Sequence, residues 1–195
     1  MTDNSVPLGR LLVDARSHNG WRAGSVEDSD LRAAYELASW GPTSMNTQPM
    51  RIVFLRTEAA KERLKPALLP GNIDKAMAAP VVAILAYDLG FHQHLPRTFP
   101  HNPAAQAFFE GKDALLRETA FRNGTLQAAY FMLALRAGGL DVGPMSGFDA
   151  ASVDTEFFAG TAWRANFLCG IGHGDPAKLF ERLPRLGFDQ VTETL

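Results

Sequence analysis

The segment Gly41-Pro42-Thr43-Ser44-Met45-Asn46-Thr47-Gln48-Pro49 packs three hydroxyls and two carboxamides into nine residues where the chain must turn. Carboxamides donate and accept at once, so such a cluster suits a flat heteroaromatic ring held by its polar edge. A plain connector between helix and strand needs only Gly, Pro and one Asx residue, although the same composition also fits an ordinary polar loop. Three other stretches carry matching chemistry. Arg16-Ser17-His18-Asn19 joins a guanidinium fork to a hydroxyl, the side-chain part of a phosphate-monoester site. Asn72 and Lys75 stand three apart on a helical pattern and share one side of it. The lysine would set a positive charge beside a ring edge that becomes negative on reduction. Gly143-Pro144-Met145-Ser146-Gly147-Phe148-Asp149 reads as a second sharp loop whose glycines let backbone N–H groups approach a ligand. Taken alone, these stretches also fit a polar helix end, a solvated helix face and a simple turn.

Other chemistries lack their requirements. Gly170-Ile171-Gly172-His173-Gly174 is followed by Asp175-Pro176 and not by the long helix of a dinucleotide-binding unit. His92, His94 and His101 have only Asp88 as a nearby carboxylate and are broken up by three prolines, so no metal site is expected. A Ser-His-Asp hydrolase would need a G-x-S-x-G elbow, which the chain lacks. The single cysteine, Cys169, sits in the apolar run Ala165–Ile171 and reads as a buried small hydrophobe.

Helices and strands must hold these groups in place. Apolar spacing predicts a short helix over Leu8–Ala15 and a second one, capped by Asp28 or Ser29, with Leu31, Ala34, Tyr35 and Ala38 on its inner face. Arg51–Arg56 reads as a strand, Glu58–Lys65 and Asn72–Ala79 as short helices, and Val81–Tyr87 as a central strand covered on both faces. Asp88–Pro103 is expected to be a long ordered loop or lid. The longest helix spans Lys112–Gly138, where Gly124 invites close approach by another helix or a ligand. A short helix over Ala150–Phe158, capped by Asp149, and a strand over Ala165–Ile171 follow. Asp175–Leu195 has little core pattern and is expected to fray or to pack on something else, such as a second subunit. At 195 residues, with 46% hydrophobic and 21% charged side chains, the chain fits one α+β domain with one core. Its net charge of −2, without any Lys/Arg block, gives no footprint for nucleic acid. Met1–Pro7 is polar, and no apolar run reaches the roughly 18 residues of a membrane span. A cytoplasmic protein with no nucleic-acid or membrane partner is expected.

In their order along the chain, these pieces resemble the nitroreductase family of FMN-dependent oxidoreductases. The Arg16-Ser17 cluster comes first, then Pro42-Thr43-Ser44-x-Asn46-x-Gln48-Pro49 before a strand, then Asn72-x-x-Lys75. Pro144-Met145-Ser146-Gly147-Phe148-Asp149 after the long helix and Arg182-Leu183-Pro184-Arg185 in the tail complete the series. Within the family the chain is most similar to the malonic semialdehyde reductase branch of pyrimidine degradation. Trp40-Gly41-Pro42-Thr43-Ser44, Glu118-Thr119-Ala120-Phe121-Arg122-Asn123, Gly143–Asp149 and Arg182-Leu183-Pro184-Arg185-Leu186 carry that likeness.

The resemblance implies a central, mostly antiparallel sheet wrapped by helices, built as an intertwined homodimer with FMN at the interface. The tail, about residues 175–195, would wrap the partner. Arg16, Ser17 and His18 would hold the FMN phosphate and ribityl chain, helped by Arg185 and Arg182. Pro42, Thr43, Ser44 and Asn46 would reach the same flavin from the other subunit. Asn72 and Lys75 would face its pyrimidine edge, and Pro144, Met145, Ser146 and Gly147 would cover the ring near N5. Two departures stand out. Asn19-Gly20-Trp21 occupies the place where the family carries another basic residue, so the phosphate would lean on His18 or the tail arginines. Met50 replaces an aromatic after Gln48-Pro49. The implied activity is ping-pong hydride transfer from NADH or NADPH through FMN to malonic semialdehyde, giving 3-hydroxypropionate. No side chain is required as an essential acid or base. A broad nitro or quinone reductase and a non-catalytic flavin-binding dimer are the alternatives.

Overall fold

Seven uncharged residues in a row, Val81–Tyr87, demand cover on both faces of a strand, and the computed structural model provides it. The structure describes residues 9–195, so Leu8 of the expected first helix and the polar stretch Met1–Pro7 lie outside the described residues. Strands β1 (Met50–Leu55), β2 (Val81–Asp88), β3 (Asp141–Met145) and β4 (Trp163–Gly172) form one antiparallel sheet in the order β1-β2-β4-β3. Side chains of β2 alternate between two cores. Val81, Ala83 and Leu85 face helices α1 (Asp28–Ala38) and α5 (Asp113–Ala137), while Val82, Ile84 and Ala86 face α2 (Glu58–Leu64), α3 (Pro70–Ala78) and α6 (Ala150–Phe157). Each fully buried Val, Leu or Ile here contributes about 1.5–3 kcal/mol, which makes β2 the spine of the molecule. The α+β class and the antiparallel sheet agree with the sequence.

Local starts and stops differ in instructive ways. Arg10–Asp14 forms one wide π-type turn in place of the expected short helix. Glu27, not Asp28 or Ser29, is the N-cap of α1, with its N–H donated to the Asp30 carboxylate at 3.1 Å, while the Asp28 carboxylate is taken by Arg56. α3 begins at Pro70, two residues ahead of Asn72, using proline where no helical N–H is needed. The expected lid is built of short turns and α4 (Leu95–Thr98), folded over a small core of Phe91, Leu95, Ala105, Phe109 and Ala120. The stretch read as a sharp loop from Gly143 is half strand: Gly143, Pro144 and Met145 end β3. Proline is tolerated there because β3 is an edge strand. Residues after Phe180 are exposed and include the short helix α7 (Phe188–Val191). Among the described residues no helix is long and apolar enough to cross a membrane.

Gly124 fixes how closely α5 approaches the end of β2. A Cβ at this position would lie 2.9 Å from Tyr87 Cβ. Gly124→Ala should therefore lose about 1–2 kcal/mol of stability through overpacking, even though alanine is the better helix former by about 1 kcal/mol. Urea denaturation reads the balance, and equal or greater stability would contradict this packing.

Candidate functional site

The expected site residues fall into two sets, and the first gathers along β3. Ser17 makes a parallel bridge to Val142, and the His18 N–H donates to the Val142 carbonyl at 3.0 Å. The Trp21 indole N–H then reaches the Lys75 carbonyl on α3 at 3.0 Å. The Gly147 carbonyl accepts both the Asn72 side-chain amide, at 2.8 Å, and the Leu69 N–H, at 3.0 Å. These bonds draw Arg16–His18, Asn72, Lys75 and Pro144–Gly147 into one neighbourhood. The tail joins it: Arg16 donates to the Phe180 carbonyl, and Arg182 donates to the carbonyls of Asp14 at 3.2 Å and Ala15 at 3.5 Å. Arg185 bonds only to carbonyls of its own tail, Leu183 and Pro184.

Two members are turned differently from the expectation. The His18 ring is buried with Nε2 3.3 Å from Asp141 Oδ1, and its Nδ1 has no partner. Its backbone N–H is taken by Val142 and its carbonyl lies against Gly143, so neither ring nor backbone of His18 faces outward. The Met145 side chain is buried in the core under α3 and α6, leaving its backbone and the exposed Ser146 on the outside.

The second set is the loop before β1. Met45, Asn46 and Gln48 adopt φ of 52°, 49° and 43°, the left-handed region that non-glycine residues enter at a cost of about 1 kcal/mol each. The amides that looked free in the sequence hold the loop together. Asn46 Nδ2 donates to the Thr98 carbonyl at 2.7 Å, and Asn46 Oδ1 accepts from Gln48 Nε2 at 2.8 Å. Two buried residues of α5 hold its ends. Asn123 Oδ1 accepts the Ser44 N–H at 2.8 Å, and Gln127 Oε1 accepts the Met50 N–H at 2.9 Å. Asn123 was marked only as part of the family-like stretch Glu118–Asn123, and Gln127 not at all; both read as helix interior. A carboxamide pair one turn apart on the buried face of a helix was the available signal. Pro42, Ser44 and Asn46 remain exposed.

Strands β1 and β3 are the two edges of the sheet. Three strand spacings separate them, about 14 Å. No hydrogen bond among the described residues joins the two sets. A cavity of about 620 Å³ lies along β1, with Arg32, Thr47, Arg97 and Trp163 in its wall, but none of the expected cofactor residues lines it.

The β3 set is cationic. Apart from Asp141 beside His18, the ion pairs of the described residues lie elsewhere, and none of them includes Arg16, Lys75, Arg182 or Arg185. Burial pulls the Lys75 ammonium below its ordinary lysine pKa, as expected for a cation held partly out of water without an anion. A phosphate and a ring edge that gains negative charge would supply that anion, so the donor set fits FMN. The glycines of β4 serve packing instead. Cβ atoms at Gly170 and Gly172 would fall 2.6 Å and 3.0 Å from the Trp21 ring. Cys169 is buried and its thiol is pushed up to about 12 by burial, which leaves it inert as a nucleophile.

Comparison with known proteins bears on the family and the fold. The sequence model described as "Nitroreductase family" matches residues 14–173. A protein of Cupriavidus pinatubonensis named "Putative NADH dehydrogenase/NAD(P)H nitroreductase" is 55% identical over 188 residues, covering 95% of this chain and 96% of that protein. HadB of Ralstonia pickettii, under the same description, is 55% identical over 189 residues, with 96% of each chain covered. Among solved structures, a nitroreductase-type protein from Exiguobacterium sibiricum in complex with FMN superposes with a TM-score of 0.87 at 18% identity, covering 100% of both chains.

The Asn72–Gly147 bond is the direct side-chain tie between α3 and the β3 end. Asn72→Ala should cost about 1 kcal/mol, seen as a fall of about 2–4 °C in Tm. An unchanged Tm would show that the two elements are held by other means.

Proposed function

The chain belongs to the nitroreductase family, and from that premise we propose that it is an FMN-dependent NAD(P)H oxidoreductase acting as a homodimer. The observation that carries this reading is the division of the site between opposite edges of one sheet. A flavin bound at the β3 edge would need a second subunit's loop to cover it. When bound, FMN supplies the two-electron hydride relay between nicotinamide and acceptor. Arg16 and Ser17 would hold its phosphate end, with Arg182 nearer than Arg185 on the tail, while buried His18 would support them from behind. Asn72 and Lys75 address its pyrimidine edge, where Lys75 stabilises negative charge electrostatically. The backbone of Pro144–Gly147 lies over the ring, and Pro42, Thr43, Ser44 and Asn46 approach from the partner. Residues 175–195 wrap that partner, which gives the exposed Phe180, Leu183, Leu186, Phe188 and Val191 an apolar surface to cover.

Donor and acceptor share one pocket in turn, which gives ping-pong kinetics. The acceptor in this reading is malonic semialdehyde: its aldehyde carbon takes the hydride, its oxygen takes a proton, and 3-hydroxypropionate and NAD(P)⁺ are the products. Solvent supplies the proton, because the His18 ring is enclosed by Asp141 and Gly174. A broader nitro or quinone reductase uses the same groups, and the names of the 55%-identical relatives favour it as the second reading.

The test is the visible spectrum of purified protein before and after anaerobic NADH or NADPH. The flavin bands should bleach, then return on adding malonic semialdehyde. Return only with nitroarenes or quinones would select the second reading. Flavin that neither nucleotide reduces would mark a non-catalytic flavin-binding dimer, and failure to take up FMN would contradict the cofactor assignment.

A further inference from the structure

We propose that Asn123 and Gln127 are positioning residues for the flavin: from α5 they hold both ends of the loop at residues 43–50 and so set the face it offers to the partner's cofactor. The proposal rests on the flavin reading above. Both side chains are nearly sealed from solvent, at 2% and 4% exposure. They are spaced four apart, so they lie one above the other on the same helix face. Besides Thr119, that face is built of Ala120, Gly124, Ala128, Phe131, Ala134 and Leu135. An apolar pair would fill such positions without any desolvation cost, so packing alone does not account for two carboxamides.

Their bonds do account for them. Asn123 Oδ1 takes the Ser44 N–H at 2.8 Å, while its Nδ2 is anchored on the Thr119 carbonyl at 2.9 Å, which fixes the direction of the amide. Gln127 Oε1 takes the Met50 N–H at 2.9 Å, where the loop enters β1. Between these two points lie the three left-handed non-glycine residues found among the described residues, Met45, Asn46 and Gln48. Gly124, between the amides on the helix, brings α5 within reach by packing on Tyr87 and Pro49. Bonds within the loop join Asn46 to Gln48 and Gln48 to Thr43. They shape its middle, while its placement on the body falls to the α5 amides together with Asn46 on Thr98, the Tyr130 hydroxyl on the Pro42 carbonyl and the Asp88 N–H on the Pro49 carbonyl. A carboxamide is suited to this task because its oxygen accepts the loop N–H while its nitrogen can be tied to the helix.

Three variants test the proposal in the full-length dimer: Asn123→Leu, Asn123→Asp and Gln127→Met. The readouts are the FMN dissociation constant, the visible circular dichroism of bound flavin, and the Tm of flavin-free protein. Asn123→Leu and Gln127→Met remove the acceptor at similar volume, and each should weaken FMN by about tenfold and change the flavin dichroism. Asn123→Asp keeps an oxygen facing Ser44 but buries a charge, so its Tm should fall furthest while FMN binding stays within about threefold of wild type. That crossing of affinity against Tm is what a merely structural role does not produce. Affinity that follows Tm through the series, or wild-type FMN binding in all three variants, overturns the proposal and leaves the flavin reading intact. If Asn123→Leu does not fold, Gln127→Met decides alone. Wild-type protein that takes up no FMN overturns the flavin reading and this proposal together.

Discussion

Hydrogen bonding in the order β1-β2-β4-β3 leaves β1 and β3 as the two edges of one sheet, with about 14 Å between them. Arg16, Lys75 and Arg182 collect beside β3 outside any ion pair, and the strained loop runs into β1. Side-chain motion cannot close that gap, because β2 and β4 between them are paired along their length and β2 is covered on both faces. In the proposed dimer the β3 edge of one subunit meets the loop of the other. Neither half then needs to be a complete pocket, and the separation stops being a defect of the site.

The same sheet explains why each half is rigid. Beside β3, the segment through Trp21 lies on the glycines of β4, whose missing side chains make room for the indole. The indole N–H in turn holds α3 at Lys75. Beside β1, α5 lies against β2 through Gly124 and fastens the loop with two amides. Met45, turned by its left-handed backbone, packs into the lid core with Phe91 and Leu95. Loop, lid and helix are therefore tied to one another, and local strain is offset by bonds to elements the core already fixes.

Much of this was legible in the sequence because it depends on periodicity. Val81–Tyr87 read as a central strand, and the pattern over Lys112–Gly138 marked α5 to within a residue at each end. The family order of the motifs pointed to the sheet, and the comparisons agree. What stayed hidden depends on partners distant in sequence. β3 contains Gly143 and Pro144, which read as a turn; the strand survives because Gly143 lets the His18 carbonyl approach and Pro144 sits at an edge. Asn46 looked like a free ligand amide, but Thr98 and Gln48 take both its ends. His18 looked like a phosphate contact, and nothing local announced Asp141 as its neighbour. The value of Asn123 and Gln127 appears only when Ser44 and Met50, about 80 residues earlier, are seen beside them.

A hybrid dimer tests the divided site most directly. One subunit would carry Arg16→Glu, disabling the β3 half, and the other Ser44→Trp, blocking the loop half, with different tags so that the mixed dimer can be purified. If each flavin is shared between subunits, both parent homodimers lose FMN. The mixed dimer, having one site with both halves intact, should regain about half the flavin of the wild-type dimer. A mixed dimer as empty as its parents, or a Ser44→Trp homodimer that keeps its full flavin, would contradict the shared site.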